Sequence, residues 1–156
     1  MPDLHLRNSA AAMSDLLQPL VARHFDWAGW EALIARNGYT LDRPAGTAHP
    51  DYPRIIYPID YGYVNGTVGT DRQEVDLFVG RADNGLVGTL LTTDHRKGDR
   101  EFKLLYNCAP PEIYMIHGFI NFDRTLLEGT LVLRYAMHAL WSGARRRPTT
   151  GNPAPK

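Results

Sequence analysis

Acidic side chains crowd one short stretch in the middle of the chain, where Asp71, Glu74 and Asp76 occur close together. Asp76 is embedded among Val75, Leu77 and the apolar residues that follow. A carboxylate in such surroundings is costly to bury without a partner, and a metal ion removes that cost. Carboxylate oxygens with several retained waters are what Mg²⁺ prefers. The stretch therefore suits a divalent metal and a phosphorylated ligand, unless Asp76 merely pairs with a basic group.

A second charged cluster runs from Asp94 to Lys103. Glu101 and Lys103 are two residues apart on a predicted strand, so their side chains point to the same face. A carboxylate and an ammonium in one cavity suit a metal on one side and a phosphate on the other. Taken alone, the same pattern is also typical of a solvated hairpin.

Tyrosines alternate ahead of the acidic stretch, at Tyr57, Tyr61 and Tyr63. Their hydroxyl groups can donate to a phosphate oxygen, although buried tyrosines with a satisfied hydroxyl are more common. Gly62 allows a close approach of the backbone. The chain has no Walker-type loop, dinucleotide fingerprint or Gly-x-Ser-x-Gly elbow.

Residues 9–37 predict two short helices ahead of these clusters. The first has an apolar stripe at helical spacing that Pro19 weakens, formed by Leu16, Leu17, Leu20 and Val21. The second is predicted to begin after an Asp26 N-cap and to end at Gly38. We expect Trp27 and Trp30 in this helix to pack against the domain or a partner subunit.

Short strands are predicted for most of the remaining chain, at 39–42, 74–79, 86–93, 101–106 and 130–133. Asp83-Asn84-Gly85 predicts a hairpin turn between the second and third of them. A later helix is predicted from Pro110 to about Phe119. This pattern predicts a mainly β, α+β fold, in which a small β-barrel has helices packed outside it.

The length of 156 residues predicts one folded unit, with a helical extension at 1–37, a barrel at 38–133 and a C-terminal helix or disordered tail at 134–156. Acids and bases cancel at 17 each, which gives no support to a nucleic-acid or membrane-surface partner. Cys108 is the single cysteine, so a reducing compartment, the cytoplasm, is expected. No apolar run approaches the roughly 20 residues that span a bilayer.

Several of these segments follow one another in a recognisable order: Pro-x-x-Tyr-Gly-Tyr from Pro58, then Asp-x-x-x-x-Asp-Leu-Phe-Val from Asp71, then Glu-x-Lys at 101–103. Over residues 38–133 this order resembles the soluble family I inorganic pyrophosphatases. The segment 42–63, with His49 between its prolines, is similar to a short, divergent bacterial branch of pyrophosphatase-like proteins. The resemblance implies an OB-like, pyrophosphatase-type barrel. It also implies Mg²⁺-dependent hydrolysis of pyrophosphate by a metal-activated water.

The resemblance assigns roles to individual residues. It implies two or more Mg²⁺ ions, with Mn²⁺ as an alternative, bound by Asp71, Asp76, Glu101 and Asp94. It places Tyr61 and Lys103 on the substrate phosphates, which either Arg43 or Arg54 would also reach, and the expected substrate-binding set is completed by His49 and Tyr57. The expected catalytic set is Asp76, Asp71, Lys103, Tyr61 and Glu74. The expected partners are a small phosphorylated substrate and further copies of the chain in a homo-oligomer.

The chain also departs from the family pattern. Gln73 stands where the family has the aspartate that orients the attacking water, and Gln cannot accept a proton as a carboxylate would. His49 replaces a phosphate-contacting arginine. Two alternatives therefore remain open. One is a hydrolase of another phosphoanhydride or phosphate ester, such as a nucleotide or a prenyl diphosphate. The other is a non-catalytic homologue that binds phosphate or a nucleotide.

Overall fold

The computed structural model describes residues 18–68 and 73–143. Residues 18–24 are helical (α1), and α2 spans Trp27–Asn37. The Asp26 side chain accepts a hydrogen bond from Gly29 N at 3.1 Å, and Gly38 ends the helix with a φ of 71°. The predicted N-cap and stop are therefore confirmed. Leu16, Leu17 and the predicted tail from 144 onwards lie outside the described residues.

One mixed sheet forms the centre of the molecule. Its strands are β1 (Tyr39–Arg43), β2 (Asp60–Val64), β3 (Asp76–Val79), β4 (Leu86–Asp94), β5 (Asp99–Tyr106) and β6 (Leu127–Leu133). They lie in the order β1-β2-β3-β5-β4-β6, and only the β3–β5 pair is parallel. With α3 (Pro110–Ile120) and α4 (Met137–Trp141) beside the sheet, the predicted α+β class is confirmed.

The hairpin predicted at Asp83-Asn84-Gly85 is wrong, because β5 lies between β3 and β4 in the sheet. The loop between them crosses the end of β5, where Gly80 N donates to Tyr106 O and Ala82 N donates to Asn107 O. Gly85 has the positive φ of a turn, yet its N–H also bonds the Asn107 side chain. The hairpin in this region is β4–β5 instead, with a tight turn at 95–98.

Strand residues alternate between two apolar layers on opposite faces of the sheet. One layer joins Leu77 and Leu104 to Trp27 and Ile34 of α2, and the other is built by Phe78, Leu90, Leu105, Ile113 and Ile116, the last two from α3. Each fully buried side chain of this kind contributes about 1.5–3 kcal/mol. The sheet is thus covered by α2 on one face and by α3 on the other.

The N-terminal helices pack on the sheet through aromatic rings and one partly buried ion pair. Trp30 contacts Phe102 edge-on, with ring centroids 5.3 Å apart, which confirms the packing expected of the tryptophans. Glu31 Oε2 accepts hydrogen bonds from Leu86 N at 2.8 Å and from Arg134 Nη1 at 2.9 Å. In the part of the chain that the structure describes, no helix has the length and apolar character needed to cross a membrane.

Candidate functional site

The centre of the candidate site is Lys103, a lysine on β5 that is only 6% exposed. Its Nζ donates hydrogen bonds to Asp76 Oδ2 at 2.8 Å, to Glu101 Oε1 at 2.7 Å and to Tyr61 Oη at 2.9 Å. An ammonium has three protons to donate, so these bonds use all of them. The Lys103 centre, meaning these four residues, is therefore a fully hydrogen-bonded charged cluster.

The strand order explains why these residues meet. β3 lies between β2 and β5, so Tyr61, Asp76 and Lys103 come from adjacent strands. Residues two apart share a face, which places Glu101 beside Lys103, as the spacing predicted. The Tyr61 hydroxyl donates its own proton to Asp76 Oδ2 at 2.5 Å and accepts the bond from Lys103.

Electrostatics hold the centre in one protonation state. Burial alone would lower the pKa of Lys103, but the surrounding Tyr61, Asp76 and Glu101 raise it well above its usual value. Burial raises the pKa of the Tyr61 hydroxyl, so the phenol stays neutral. The lysine side chain is 7% exposed, whereas those of Asp76 and Glu101 are 24% and 26% exposed. The two carboxylates therefore face solvent in front of a charged lysine.

A second cation, Arg43, lies against the same tyrosine. Its Cζ is 5.6 Å from the Tyr61 ring centroid and 5.4 Å from that of Tyr57, and its Nη1 donates to the Tyr57 hydroxyl. Lys103 Nζ is 5.3 Å from the Tyr61 centroid. Two cations therefore lie within about 6 Å of the Tyr61 ring centroid, and the predicted phosphate-binding residues Arg43, Tyr57, Tyr61 and Lys103 are brought together.

The segment 44–59 folds back and brings His49 to this group. Ala48 and Ile56 form an antiparallel bridge, and His49 N donates to Ile55 O at 2.8 Å. The His49 ring lies 6.2 Å from that of Tyr57, with 13° between their planes. Burial, helped by the Arg43 guanidinium, lowers the pKa of His49, so the ring is neutral at pH 7. Arg54 of the same loop is exposed.

Asp94 is the last residue of β4, and its side chain accepts hydrogen bonds from the β4–β5 turn that follows it. Its Oδ1 accepts from the N–H groups of Arg96 and Lys97 at 2.9 and 3.2 Å, and its Oδ2 pairs with Arg96 Nη2 at 3.1 Å. The structure brings Asp94 to Arg96 and gives it no hydrogen bond to the Lys103 centre. Its role as a metal ligand stays a prediction.

The acidic stretch before β3 is only partly described. Asp71 lies outside the described residues, and Glu74 and Gln73 are both exposed. The strand begins at Asp76, two residues later than predicted, because Val75 N bonds the Thr67 hydroxyl at 2.9 Å instead of a partner strand. The roles expected of Asp71 and Glu74 therefore stay predictions.

Asp76 and Glu101 are the two described carboxylates whose arrangement fits a magnesium ion, in the number of ligands that they offer. Within residues 18–68 and 73–143, no group of three or more His, Cys, Asp or Glu side chains is arranged to hold a metal. Asp76 and Glu101 nevertheless converge on one point, the Lys103 ammonium. Proteins commonly bind Mg²⁺ through one or two carboxylates together with substrate phosphates and water. This donor pair fits an ion bound jointly with a phosphorylated substrate.

Sequence analysis missed several residues around the centre. Tyr52 contacts the His49 ring, with centroids 5.2 Å apart, and Arg96 Cζ lies 4.8 Å from the Tyr52 centroid. Phe119 of α3 packs against Tyr57 at 5.1 Å. Tyr52 and Arg96 come from loops separated by some forty residues, and no periodicity in either loop indicates that they meet.

Comparison with solved structures shows a pyrophosphatase-like fold. The chain is similar to an inorganic pyrophosphatase from Neisseria gonorrhoeae, with a TM-score of 0.50 and 13% identity, covering 69% of this chain and 88% of that one. It is also similar to an inorganic pyrophosphatase from Coxiella burnetii, with a TM-score of 0.48 and 12% identity, covering 67% and 90%. No family model and no curated protein matches the chain. At this identity the likeness concerns the fold alone.

Proposed function

We propose that this protein hydrolyses inorganic pyrophosphate to phosphate in a Mg²⁺-dependent reaction. The observation that carries the proposal is the Lys103 centre, in which a buried ammonium lies behind two partly exposed carboxylates. The fold shared with the pyrophosphatase from Neisseria gonorrhoeae supports it. An anionic substrate and its counter-ion both find oppositely charged groups in this arrangement.

The protein's own residues would act mainly by position and charge. Lys103, which donates to the Tyr61 hydroxyl, and Arg43, whose Cζ lies 5.6 Å from the centroid of the same ring, offer two cations to a substrate with two phosphate groups. The neutral Tyr61 hydroxyl can turn from Asp76 to donate to a phosphate oxygen. Phosphoryl transfer requires chiefly positioning and neutralisation of charge, so this set can lower the barrier without a covalent step.

Asp76 and Glu101 would hold Mg²⁺, joined by Asp71 and, for a further ion, Asp94; Mn²⁺ is the alternative. When bound, the ion supplies a water of lowered pKa and neutralises the leaving phosphate. Asp76 and Glu101 would have to release Lys103 in part, which frees its protons for the substrate. Gln73 stands in place of a carboxylate, and Glu74, its neighbour in sequence, is the residue that we propose to accept the proton of the water if the turn before β3 directs it towards the site.

A substrate panel tests the proposal. Phosphate release would be measured with pyrophosphate, tripolyphosphate and p-nitrophenyl phosphate, each in Mg²⁺, in Mn²⁺ and in EDTA. The proposal expects release from pyrophosphate in Mg²⁺ and none in EDTA. Faster release from another compound would favour a different phosphoanhydride or ester. The absence of release from all three would favour a binding homologue, for which the loss of a carboxylate at Gln73 is the supporting observation.

The cellular setting that we propose for the reaction follows from the single cysteine of the chain. Cys108 is buried and unpaired, and burial raises the pKa of its thiol, which keeps it in the unreactive protonated form. A free thiol suits a reducing compartment, and we place the reaction in the cytoplasm on that basis. The homo-oligomer is likewise a proposal.

A further inference from the structure

A row of aromatic rings leads from the Lys103 centre to the surface. The Tyr61 and Tyr57 centroids are 5.1 Å apart, Tyr57 and His49 are 6.2 Å apart, and His49 and Tyr52 are 5.2 Å apart. Tyr61 and Tyr57 are 8% and 5% exposed, whereas Tyr52 is 38% exposed. The row therefore begins at the buried lysine and ends at a ring that is open to solvent.

Guanidinium groups accompany the row at both ends. Arg43 lies over the inner rings, and Arg96 Cζ lies 4.8 Å from the centroid of Tyr52 at the outer end. Asp94 holds Arg96 in place through a salt bridge of 3.1 Å. Aromatic rings combined with arginine planes form the type of surface on which nucleobases stack.

Inorganic pyrophosphate would use the inner part of this surface only. It is a small ion without a planar apolar group, so it can interact with Lys103 and Arg43 but cannot stack on Tyr52. The inner ring Tyr57 also has a packing role, because it contacts Phe119 of α3. Tyr52 lies outside both core layers. Its exposed ring therefore offers binding surface that the core does not require.

We infer that the site takes a nucleoside diphosphate, with its phosphates at Lys103 and Arg43 and its base against Tyr52 and His49. This inference rests on the proposed function, since the same inner cations must hold the phosphates. Burial and the neighbouring Arg43 lower the pKa of His49, so its imidazole is uncharged at pH 7. An uncharged ring can lie beside Arg43 without repulsion and offer its face to a base. A prenyl diphosphate carries an apolar chain without a ring, so it would gain less binding free energy from contact with Tyr52 and His49.

Calorimetric titration of the full chain in Mg²⁺ tests the inference with adenosine 5′-diphosphate and dimethylallyl diphosphate. Stacking of one base on an aromatic side chain predicts roughly tenfold tighter binding of adenosine diphosphate than of dimethylallyl diphosphate. Equal affinity for these two compounds, or tighter binding of dimethylallyl diphosphate, would overturn the inference.

Two variants locate the contact. Tyr52→Leu removes the ring at the outer end of the row and is expected to bring the preference for adenosine diphosphate down to about twofold or less, since the stacking contact is lost. Tyr114→Leu changes an exposed tyrosine on α3 and is expected to keep the preference. A preference that survives Tyr52→Leu would contradict the assignment, and circular dichroism would verify that both variants are folded.

Phosphate release from pyrophosphate, measured on the same preparations, separates this inference from the proposed function. Hydrolysis of pyrophosphate without a preference for adenosine diphosphate would leave the function standing and reject the inference. A preference that depends on Tyr52, without hydrolysis, would support the inference and reject the hydrolytic function.

Discussion

Two carboxylates face one ammonium at Lys103, and the lysine is the most deeply buried of the three groups. Burying a charge costs several kcal/mol unless partners with good geometry compensate. Here Asp76, Glu101 and Tyr61 accept all three protons of the ammonium. The arrangement is costly as a means of stabilising a fold, because well-packed apolar residues could fill the same space. The proposed function, in which Lys103 contacts an anionic substrate, would account for this arrangement.

Replacement of this lysine by an uncharged side chain of similar length, Lys103→Met, leaves two carboxylates without their partner. We expect the free energy of unfolding to fall by about 2–4 kcal/mol. This is slightly less than the loss of about 3–5 kcal/mol that is usual when a buried ion pair is broken, because both carboxylates are partly exposed. Urea denaturation measures the change. Lys97→Met in the exposed β4–β5 turn is the control, with an expected change of at most about 0.5 kcal/mol. Equal stability of the Lys103 variant would contradict the charge balance described.

A pH effect is expected at Asp94. Slight burial would raise the pKa of this carboxyl, but hydrogen bonds from Arg96 and from the Arg96 and Lys97 backbone outweigh it and lower the pKa. A carboxyl with a lowered pKa stabilises the fold above its ordinary pKa, and this contribution is lost as the pH falls through the lowered value. Asp94→Asn should therefore reduce stability by about 0.5 kcal/mol at pH 7, since solvent screens the pair.

Thermal unfolding of Asp94→Asn and of the wild-type protein from pH 7 down to pH 2 would follow this effect. The difference between them should shrink towards zero at the acid end. Asp83→Asn, in an exposed loop, is the control for the general effect of removing an aspartate. A difference that stays constant over the whole range would show that the Asp94 charge does not contribute.

Strand alternation was enough to predict part of the site. The spacing of Glu101 and Lys103 placed them on one face, and the resemblance placed Tyr61 and Asp76 near them. The contact of Tyr52 with Arg96 could not be predicted, because two loops meet only after the sheet has formed. The resemblance implied Asp94 as a metal ligand, and the structure shows it accepting hydrogen bonds from the Arg96 and Lys97 backbone, which leaves that role a prediction.

At the scale of elements, a turn motif did not correctly predict which strands pair with each other. Gly85 has the positive φ that the motif predicts, but the loop wraps around the end of β5 and bonds to Asn107. β3 and β4 therefore do not pair with each other, and β3 instead lies parallel to β5. Such pairing depends on contacts that are distant in sequence, which local propensities do not encode. Helix limits were predicted better, because caps such as Asp26 and Gly38 act within one turn.

Gly62 is the residue that allows β1 to lie against β2. A Cβ at this position would be 1.8 Å from Thr40 O, which is backbone and cannot move aside easily. We expect Gly62→Ala to lower the free energy of unfolding by about 2–4 kcal/mol, because β1 must shift or separate. Hydrogen exchange of the β1 and β2 amides, measured beside chemical denaturation, would locate the change.

The matched control is Gly118→Ala in α3, where an added Cβ meets nothing within 4 Å. Alanine favours a helix over glycine by about 0.5–1 kcal/mol, so this variant should be slightly more stable than the wild type. Similar destabilisation by both substitutions would show that the close approach at Gly62 has no special effect.

For the whole molecule, the two faces of the sheet differ, since one is covered by α2 and the other carries the Lys103 centre. α2 covers the face that carries Leu77 and Leu104, whereas Phe78 and the Lys103 centre lie on the face towards α3. The N-terminal helix therefore completes the core on the side away from the candidate site.

The α+β class could be predicted from short strands and flanking helices, while the parallel pair could not. The expected homo-oligomer stays a prediction, which sedimentation velocity of the 17.6 kDa chain would test.

The most direct test of the central claim is phosphate release from pyrophosphate in Mg²⁺ by the wild type and by Asp76→Asn. Asp76 joins Lys103, Tyr61 and the expected metal, so its loss should reduce release roughly 100-fold. Asp83→Asn, beyond the other end of β3, should retain the wild-type rate, and thermal unfolding would show that both variants are folded. Wild-type turnover by a folded Asp76→Asn protein would contradict the assignment of the Lys103 centre as the hydrolytic site.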